Sequence, residues 1–227
     1  MCHDTSFYDR HIAPRLVHAG CSANAFALMR ERIIPRANGV VVEIGFGSGL
    51  NLPHYDPGKV DRLIGIEPDE AMIALAEDAL ATTPFPAELR QEIGECLMLD
   101  SCVADTVVVT YALCTIAEPH KVLKEIKRIL KPGGRLLFCE HAATSGWRGK
   151  FQRGLNGAWG RLFCGCNINR DPIAAIEAAG FVIDDVVARP FALPQVLLGA
   201  HCSGVARLPA ELTMPDKRVL RREAAAA

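Results

Sequence analysis

Short apolar runs alternate with amphipathic stretches along most of this chain, a pattern typical of an α/β fold in which strands and helices follow one another. The β-branched residues of Val40–Ile44 predict a strand buried on both faces of a parallel sheet. Further apolar runs predict six more strands, which makes seven in all. They are Asp61–Glu67, a segment near Ala87–Ile93, Asp105–Thr110, Arg135–Cys139, Phe181–Ala188 and Val196–Ala206.

Several stretches outside these strands have the spacing of helices that bury one face. In His120–Leu130, Val122, Ile126 and Ile129 form one apolar stripe opposite charged residues, and Lys131–Gly134 predicts where that helix ends. Acidic and proline residues predict two further helix starts. These starts are at Pro68 and Asp69, and at Asp171 and Pro172.

The segment before the first strand, residues 1–37, predicts two helices. Phe7–Ala19 has the spacing of a short helix broken at Pro14, and Ser22 is placed to cap a second helix that buries Phe26 and Met29. Such a pair forms either a lid over a bound ligand or a cover for the sheet edge.

Composition limits the class of protein. The 227 residues suit one α/β domain, and the net charge of −1 gives no general attraction to nucleic acid or to an anionic membrane. No apolar run approaches the ~20 residues that span a bilayer, and the polar N-terminus lacks the order of a signal peptide. Nine cysteines without an export signal predict reduced thiols in the cytoplasm. Cys164 and Cys166 have no partner pair at zinc-finger spacing, so we expect no structural metal.

The candidate chemistry begins where the first strand ends. Gly45, Gly47 and Gly49 alternate there, and glycine allows φ > 0 and lets a ligand lie against bare backbone. Glu67 closes the second strand, where an acid can bind both hydroxyls of a ribose. A dinucleotide-binding G-x-G-x-x-G loop is one alternative, but Leu50 stands where its third glycine would be. A simple tight turn is another alternative.

The pattern E-x-G-x-G-x-G beginning at Glu43, followed by a strand that ends in an acid, resembles class I S-adenosylmethionine (SAM) methyltransferases. The run R-x-L-K-P-G-G-x-L-x-x-x-E from Arg128 to Glu140 is a second signature of that family. The resemblance implies SAM as cofactor. It also implies an α/β, Rossmann-like, seven-stranded and mostly parallel sheet with helices on both faces and the last strand antiparallel.

The same resemblance implies the cofactor contacts. The glycine loop would pass beneath the methionine part of SAM, and Glu67 would bind its ribose. Asn51 is placed near the polar end of the cofactor, and Gly94 and Glu95 follow the third strand where a contact to adenine is expected. The complete expected set is Glu43, Gly45, Gly47, Gly49, Asn51, Glu67, Pro68, Met72, Gly94, Glu95, Tyr111 and Cys114.

Three elements narrow the resemblance to the methyltransferase-like alkyl-thiol S-methyltransferases: L-C-T-I at Leu113–Ile116, K-P-G-G…C-E-H ending at His141, and A-W-G-R-L-F-C-G-C-N-I-N-R at Ala158–Arg170. The similarity covers about residues 38–190 and implies a small-molecule thiol acceptor. His141 is the candidate base, assisted by Glu140, while Tyr111 is placed near the transferring methyl group. The expected acceptor contacts are Trp159, Cys166, Asn167 and Arg170.

The expected organisation is one methyltransferase domain. Its parts are a helical lid or cover (1–37), a SAM-binding core (38–142), a substrate-side insertion (143–171), the last helix and strands (172–208) and a tail (209–227). Alternatives are N-methylation of an amine or phospholipid headgroup, arsenite methylation, a SAM-binding protein without turnover, and an NAD-dependent oxidoreductase. The sequence leaves peripheral membrane contact and the oligomeric state open.

Overall fold

A computed structural model describes residues 7–190 and 199–209. Its centre is one seven-stranded sheet in the order β3-β2-β1-β4-β5-β7-β6. Strand β7 pairs antiparallel with both of its neighbours, and the other pairings are parallel, as the resemblance predicts. The strands are β1 (Gly39–Ile44), β2 (Val60–Ile66), β3 (Ala87–Arg90), β4 (Ala104–Thr110), β5 (Leu130–Ala142), β6 (Val182–Pro190) and β7 (Ala200–Arg207).

Six α-helices lie around this sheet in the described part of the chain. They are α1 (Ala13–Cys21), α2 (Asn24–Ile33), α3 (Glu70–Ala81), α4 (Pro119–Ile129), α5 (Gly146–Leu162) and α6 (Pro172–Ala178), and a single π-helical turn, Tyr8–Ile12, precedes α1. No helix within the described ranges is long and apolar enough to cross a membrane.

The core forms two layers because successive residues of a strand point to opposite faces of the sheet. Val42 of β1 packs with Ile126 of α4 and Ile176 of α6 on one face. Its neighbour Val41 packs with Ile33 of α2 and Ala76 of α3 on the other face. Helices therefore cover both faces, which explains why the inner strands are mostly apolar.

The N-terminal helices differ from the prediction in detail. Pro14 lies in the first turn of α1, where its missing N–H costs nothing, so it starts this helix and does not break one. The hydroxyl of Ser22 donates to the carbonyl of His18 at 2.6 Å and does not cap α2. The N-cap residue of α2 is Ala23, which has no side-chain cap.

Two other elements are longer or shorter than predicted. Strand β5 begins at Leu130, directly after α4, and includes the Lys131–Gly134 segment as an irregular start. Strand β7 begins at Ala200, and residues 196–198 of the predicted strand lie outside the described residues.

Helix α5 was not predicted as a helix. The insertion contains five glycines within Gly146–Leu162, and each glycine disfavours a helix by roughly 1 kcal/mol relative to alanine. Gln152 fixes the helix from its buried face: its amide accepts from the backbone N–H of Thr144 and donates to the carbonyls of Ala142 and Ile168. Tertiary hydrogen bonds thus outweigh the low intrinsic preference.

Candidate active site

A cavity of about 1360 Å³ opens at the carboxyl ends of β1, β2, β4 and β5. Ligands of open α/β sheets bind at this edge, where the strand order changes direction along the chain. The volume exceeds that of ordinary single-ligand pockets, roughly 300–1000 Å³. The cavity therefore has room for a cofactor and an acceptor side by side.

The glycine turn after β1 forms one wall of the cavity. Gly45 has φ +72° and Gly47 has φ +58°, a region that side chains rarely adopt. A Cβ on Gly45 would lie 2.4 Å from the Cβ of Ala112, and one on Gly47 would lie 3.3 Å from Cε of Met72. Both positions thus require glycine for conformation, and Gly45 requires it for space as well. Gly49 also has positive φ, at +78°, but faces Leu52 and does not line the cavity.

Glu67 joins the glycine turn to the end of β2. The backbone N–H of Gly47 donates to its Oε2 at 2.8 Å, and the N–H of Asp69 donates to its Oε1 at 3.0 Å. Burial raises the pKa of this carboxyl, while the two backbone hydrogen bonds oppose that rise. A carboxylate has about four acceptor positions, so capacity remains for two hydroxyl donors from the cavity.

Glu43 was expected to contact the cofactor, but it lies behind the cavity wall. Its side chain accepts hydrogen bonds from Nδ2 of Asn51 at 2.8 Å and from the hydroxyl of Tyr55 at 2.6 Å, and it is absent from the lining residues. Burial raises the pKa of Glu43 to about 7. In this structure Glu43 positions Asn51, which does line the cavity.

The remaining predicted cofactor residues fall into two groups. Pro68, Met72, Gly94, Glu95 and Tyr111 line the cavity, and their contact with the cofactor stays a prediction. Cys114 does not line it.

These residues fit the cofactor that the family resemblance implies. The cradle of Gly45 and Gly47 is one that side chains would fill, and Glu67 offers acceptors beside it. Oδ1 of Asn51 is buried and makes no hydrogen bond within the described residues, so it is available to an ammonium group of a ligand. The ribose and the amino-acid part of SAM would each meet a suitable group.

Helices α1 and α2 close the cavity on the side facing solvent. Nδ1 of His18 lies 2.7 Å from Oγ of Ser48 in the glycine turn, and Phe26 and Arg30 of α2 also line the cavity. Phe26 packs edge-to-face on Tyr111 at 4.7 Å between ring centroids. The sequence predicts a lid or a cover here, but its pattern gives no signal for these individual lining residues.

The opposite end of the cavity is built from β4, β5 and α5. Tyr111, His141, Trp159, Phe163 and Cys166 line it. Trp159 and Phe163 stack with their ring centroids 4.0 Å apart. This end is therefore mainly aromatic and sulfur-containing.

Tyr111 adopts φ +54°, a rare conformation for a residue with a side chain. Its hydroxyl lies 3.2 Å from Nδ1 of His201. Burial raises the pKa of Tyr111 well above its ordinary value, so the phenol stays protonated at neutral pH. Tyr111 can donate a hydrogen bond or pack against a ligand, but it cannot serve as a base.

Glu140 does not face the cavity either. Its carboxylate accepts from the backbone N–H groups of Ala112, Leu113 and Cys114 at 2.9, 2.9 and 3.2 Å and is fully buried. Burial raises the pKa of Glu140 to about 7, although the three backbone hydrogen bonds act to lower it. Its position next to His141 suggested a catalytic partner, but its contacts make it the anchor of the loop after β4.

Asn167 and Arg170 were expected to contact the acceptor, yet they bind the same loop. Nδ2 of Asn167 donates to the carbonyl of Cys114 at 3.2 Å, and the guanidinium of Arg170 donates to the carbonyls of Leu113 and Ile116. Neither residue lines the cavity. The sequence placed them in the correct segment but could not show which way they point.

Cys114, Cys166 and His141 lie together where this loop meets β5. The two Sγ atoms are 3.6 Å apart, and Sγ of Cys166 is 3.8 Å from Nδ1 of His141. The hydrogen bond with Cys114, and then the one with His141, lowers the pKa of Cys166. The pKa of Cys114 is raised by its hydrogen bond with Cys166 and by burial. Of the two thiols, Cys166 therefore has the lower pKa.

Comparison with known proteins agrees with this geometry. A profile described as a methyltransferase domain matches residues 42–138. The human thiol S-methyltransferase TMT1A is 32% identical over 164 residues, which cover 69% of this chain and 65% of that protein. The thiol S-methyltransferase TMT1B of Rattus norvegicus is 31% identical over 174 residues, covering 73% and 69%. A solved SAM-dependent methyltransferase from Thermotoga maritima superimposes with a TM-score of 0.59 at 21% identity, covering 89% of this chain and 96% of that one.

Proposed function

Since the chain belongs to the methyltransferase family that includes these relatives and is a SAM-dependent methyltransferase, we propose that it methylates the sulfur of a small-molecule thiol. The chain spans 65% of the length of human TMT1A, which is named a thiol S-methyltransferase. The resemblance of Leu113–Ile116 and Ala158–Arg170 to alkyl-thiol S-methyltransferases supports the same acceptor.

One observation carries the choice of a thiol over an amine. The acidic residues that line the described cavity are Glu67, Asp69, Glu70 and Glu95, and all follow β2 or β3 on the cofactor side. At the acceptor end the nearest carboxylate, Glu140, is turned away and bound to backbone N–H groups. A cationic amine would therefore meet no carboxylate there, whereas a neutral thiol suits the aromatic walls.

SAM supplies an activated methyl group on a sulfonium centre, so the protein has to bind, align and desolvate the two reactants. Gly47 and Glu67 would hold the cofactor at one end of the cavity. Trp159 and Phe163 would hold the apolar part of the acceptor at the other. Phe26 and α1 would exclude water from above, because they close the solvent side.

The acceptor must lose its proton before or during attack, since the thiolate is the nucleophile. His141 is the candidate group for this step because it lines the acceptor end and imidazole is the side chain that most often serves as a general base. Tyr111 stays protonated and would orient the attacking sulfur or pack against it.

The test is methyl transfer from isotopically labelled SAM to a panel of alkyl and aryl thiols and a matched panel of amines, with products identified by mass. We expect a mass gain of one methyl group on sulfur and none on the amines. Exclusive methylation of amines, including phosphatidylethanolamine in vesicles, would overturn the thiol assignment. Tight SAM binding without turnover on either panel would instead indicate a binding protein.

A further inference from the structure

Three side chains that can bind metal converge at the acceptor end of the cavity from separate parts of the chain. Cys114 follows β4, His141 lies in β5, and Cys166 follows α5. Each offers one ligand atom, and these three atoms all lie within 4.8 Å of one another. All three residues are buried, with exposures of 2%, 5% and 7% for Cys114, His141 and Cys166.

The distances match the edges of a tetrahedral metal site. Bonds of about 2.3 Å to sulfur and about 2.0 Å to imidazole nitrogen, at tetrahedral angles, place two sulfurs about 3.8 Å apart and sulfur and nitrogen about 3.5 Å apart. The observed Sγ–Sγ distance is 3.6 Å and the Sγ–Nδ1 distance from Cys166 to His141 is 3.8 Å. The third separation, from Sγ of Cys114 to the ring nitrogen of His141, is at most 4.8 Å, so side-chain movements would bring a cation into bonding distance of all three.

The backbone around the cluster is held in place. The N–H of Cys114 donates to Glu140, and its carbonyl accepts from the backbone N–H of Asn167 at 2.8 Å and from its side chain at 3.2 Å. The segment carrying Cys166 is thereby tied directly to the segment carrying Cys114. Such outer hydrogen bonds are what orient metal ligands in known sites.

The cluster is closed on one side and open on the other. Cys114 is hidden behind the loop, whereas Cys166 and His141 line the cavity beside Trp159. Three protein ligands with an open fourth position are the arrangement of catalytic zinc sites, while structural zinc sites have four protein ligands.

We propose that Cys114, Cys166 and His141 bind a thiophilic divalent cation of the zinc class, and that the acceptor thiol occupies the fourth coordination position as its thiolate. The absence of zinc-finger spacing in the sequence does not bear on this site, because its ligands come from three segments. The cation site stands on the geometry alone, whereas the role of the fourth position rests on the thiol acceptor proposed above.

The chemistry balances without any further reactant. When the acceptor sulfur binds the cation, its S–H bond breaks and the proton is released to solvent as the thiol enters the site. A sulfur electron pair then forms the new carbon–sulfur bond, and the bond from the methyl carbon to the sulfonium sulfur breaks with its pair going to that sulfur. The neutral thioether product binds zinc more weakly than a thiolate and leaves. In the metal-loaded enzyme the cation, and not the imidazole of His141, ionises the acceptor.

The experiment uses the full chain, freed of metal by a chelator, kept reduced with a phosphine and titrated with Co²⁺ as a spectroscopic substitute for Zn²⁺. We expect cobalt–thiolate charge-transfer absorption that saturates at one equivalent. It should be lost in the Cys114→Ser, Cys166→Ser double variant and kept in Cys96→Ser, which changes an exposed cysteine far from the cluster in sequence. Absence of the band in the unmodified chain, or its persistence in the double variant, would overturn the site.

A second measurement needs no variant and so does not depend on folding of the double variant. Zn²⁺ should slow alkylation of Cys166 by a maleimide, read by peptide mass spectrometry, and leave Cys96 unaffected. Equal rates at Cys166 with and without Zn²⁺ would contradict the proposal.

The role of the fourth position is tested by adding ethanethiol to the cobalt-loaded chain. We expect the absorption bands to shift with ethanethiol and not with ethyl methyl sulfide. An unchanged spectrum together with thiol methylation by chelator-treated enzyme would refute this inference and leave the proposed function intact. A cobalt site in a chain that methylates only amines would refute the thiol acceptor and leave the site intact.

Discussion

The backbone N–H of Gly47 donates to Oε2 of Glu67 at 2.8 Å, so the glycine turn after β1 and the acid that ends β2 form one unit. This contact fixes the loop against the carboxylate before any ligand arrives. A site that is already in its binding geometry loses less conformational entropy when the ligand binds.

Removing the charge of Glu67 tests that unit. We expect Glu67→Gln to weaken SAM binding roughly 10- to 100-fold, because a hydrogen bond to a charged group contributes about 1.5–3 kcal/mol. Isothermal titration calorimetry measures the change. Glu88→Gln is the matched control, since Glu88 lies on the adjacent strand β3 and pairs with Arg62 and Arg90 outside the cavity. Equal affinities for wild type and Glu67→Gln would refute the ribose contact.

The positive φ and close packing of Gly45 predict a stability effect. Gly45→Ala should lower the free energy of unfolding by about 2–4 kcal/mol, because a strained backbone and a clash with Ala112 add together. Adding Ala112→Gly should recover the part due to the clash. Gly157→Ala in α5 is the opposite control: a Cβ there has no atom within 4 Å, and we expect a gain of about 0.5–1 kcal/mol. Urea unfolding compares all four proteins.

The two tryptophans of α5 provide a matched pair for the acceptor site. Trp159 lines the cavity, whereas Trp147 is 66% exposed at the start of the same helix. We expect Trp159→Ala to raise the KM for an aryl thiol roughly tenfold, a loss of about 1.4 kcal/mol of apolar contact, without weakening SAM binding. Trp147→Ala should change neither quantity. A KM unaffected by Trp159→Ala would place the acceptor elsewhere.

The buried carboxyl of Glu43 predicts a dependence of stability on pH. Burial raises its pKa to about 7 from an ordinary value near 4.5, so between these values the folded chain binds more protons than the unfolded chain. Its contribution to stability is therefore fully present below about pH 4.5 and is lost as pH rises to 7, by about 3 kcal/mol at most.

Glu43→Gln removes this titration. The variant should lose less stability than wild type when urea unfolding at pH 5 is compared with unfolding at pH 7. Glu88→Gln again serves as control, because the pKa of Glu88 is lowered and that group does not titrate in this window. Identical slopes for wild type and Glu43→Gln would show that Glu43 is ionised throughout.

The parts of the fold that could be predicted from sequence are those whose cause is local. Val40–Ile44 reads as a buried strand because its own side chains are β-branched, and Gly47 and Glu67 follow from short motifs at strand ends. Helix α5 was missed because its five glycines disfavour a helix, and the buried amide of Gln152 that stabilises it acts through tertiary contacts.

The direction in which a side chain points is the second property that the sequence could not predict. Glu43, Glu140 and Arg170 were each placed in the correct segment, but their partners are backbone or buried groups that only the folded chain brings near. Cys114 and Cys166 are 52 residues apart in sequence, and only the folded chain brings them into contact. Their spacing therefore could not predict this contact.

The helices that precede the sheet border both halves of the cavity. His18 of α1 contacts Ser48 beside the cofactor, while Phe26 of α2 contacts Tyr111 and lies 5.8 Å from His141 between ring centroids. A displacement of α1 and α2 would therefore expose the cofactor side and the acceptor end of the cavity at the same time. The cofactor and the acceptor would then enter and leave through the same opening. A substitution in α1 or α2 would therefore change the rates of binding and release of both reactants together.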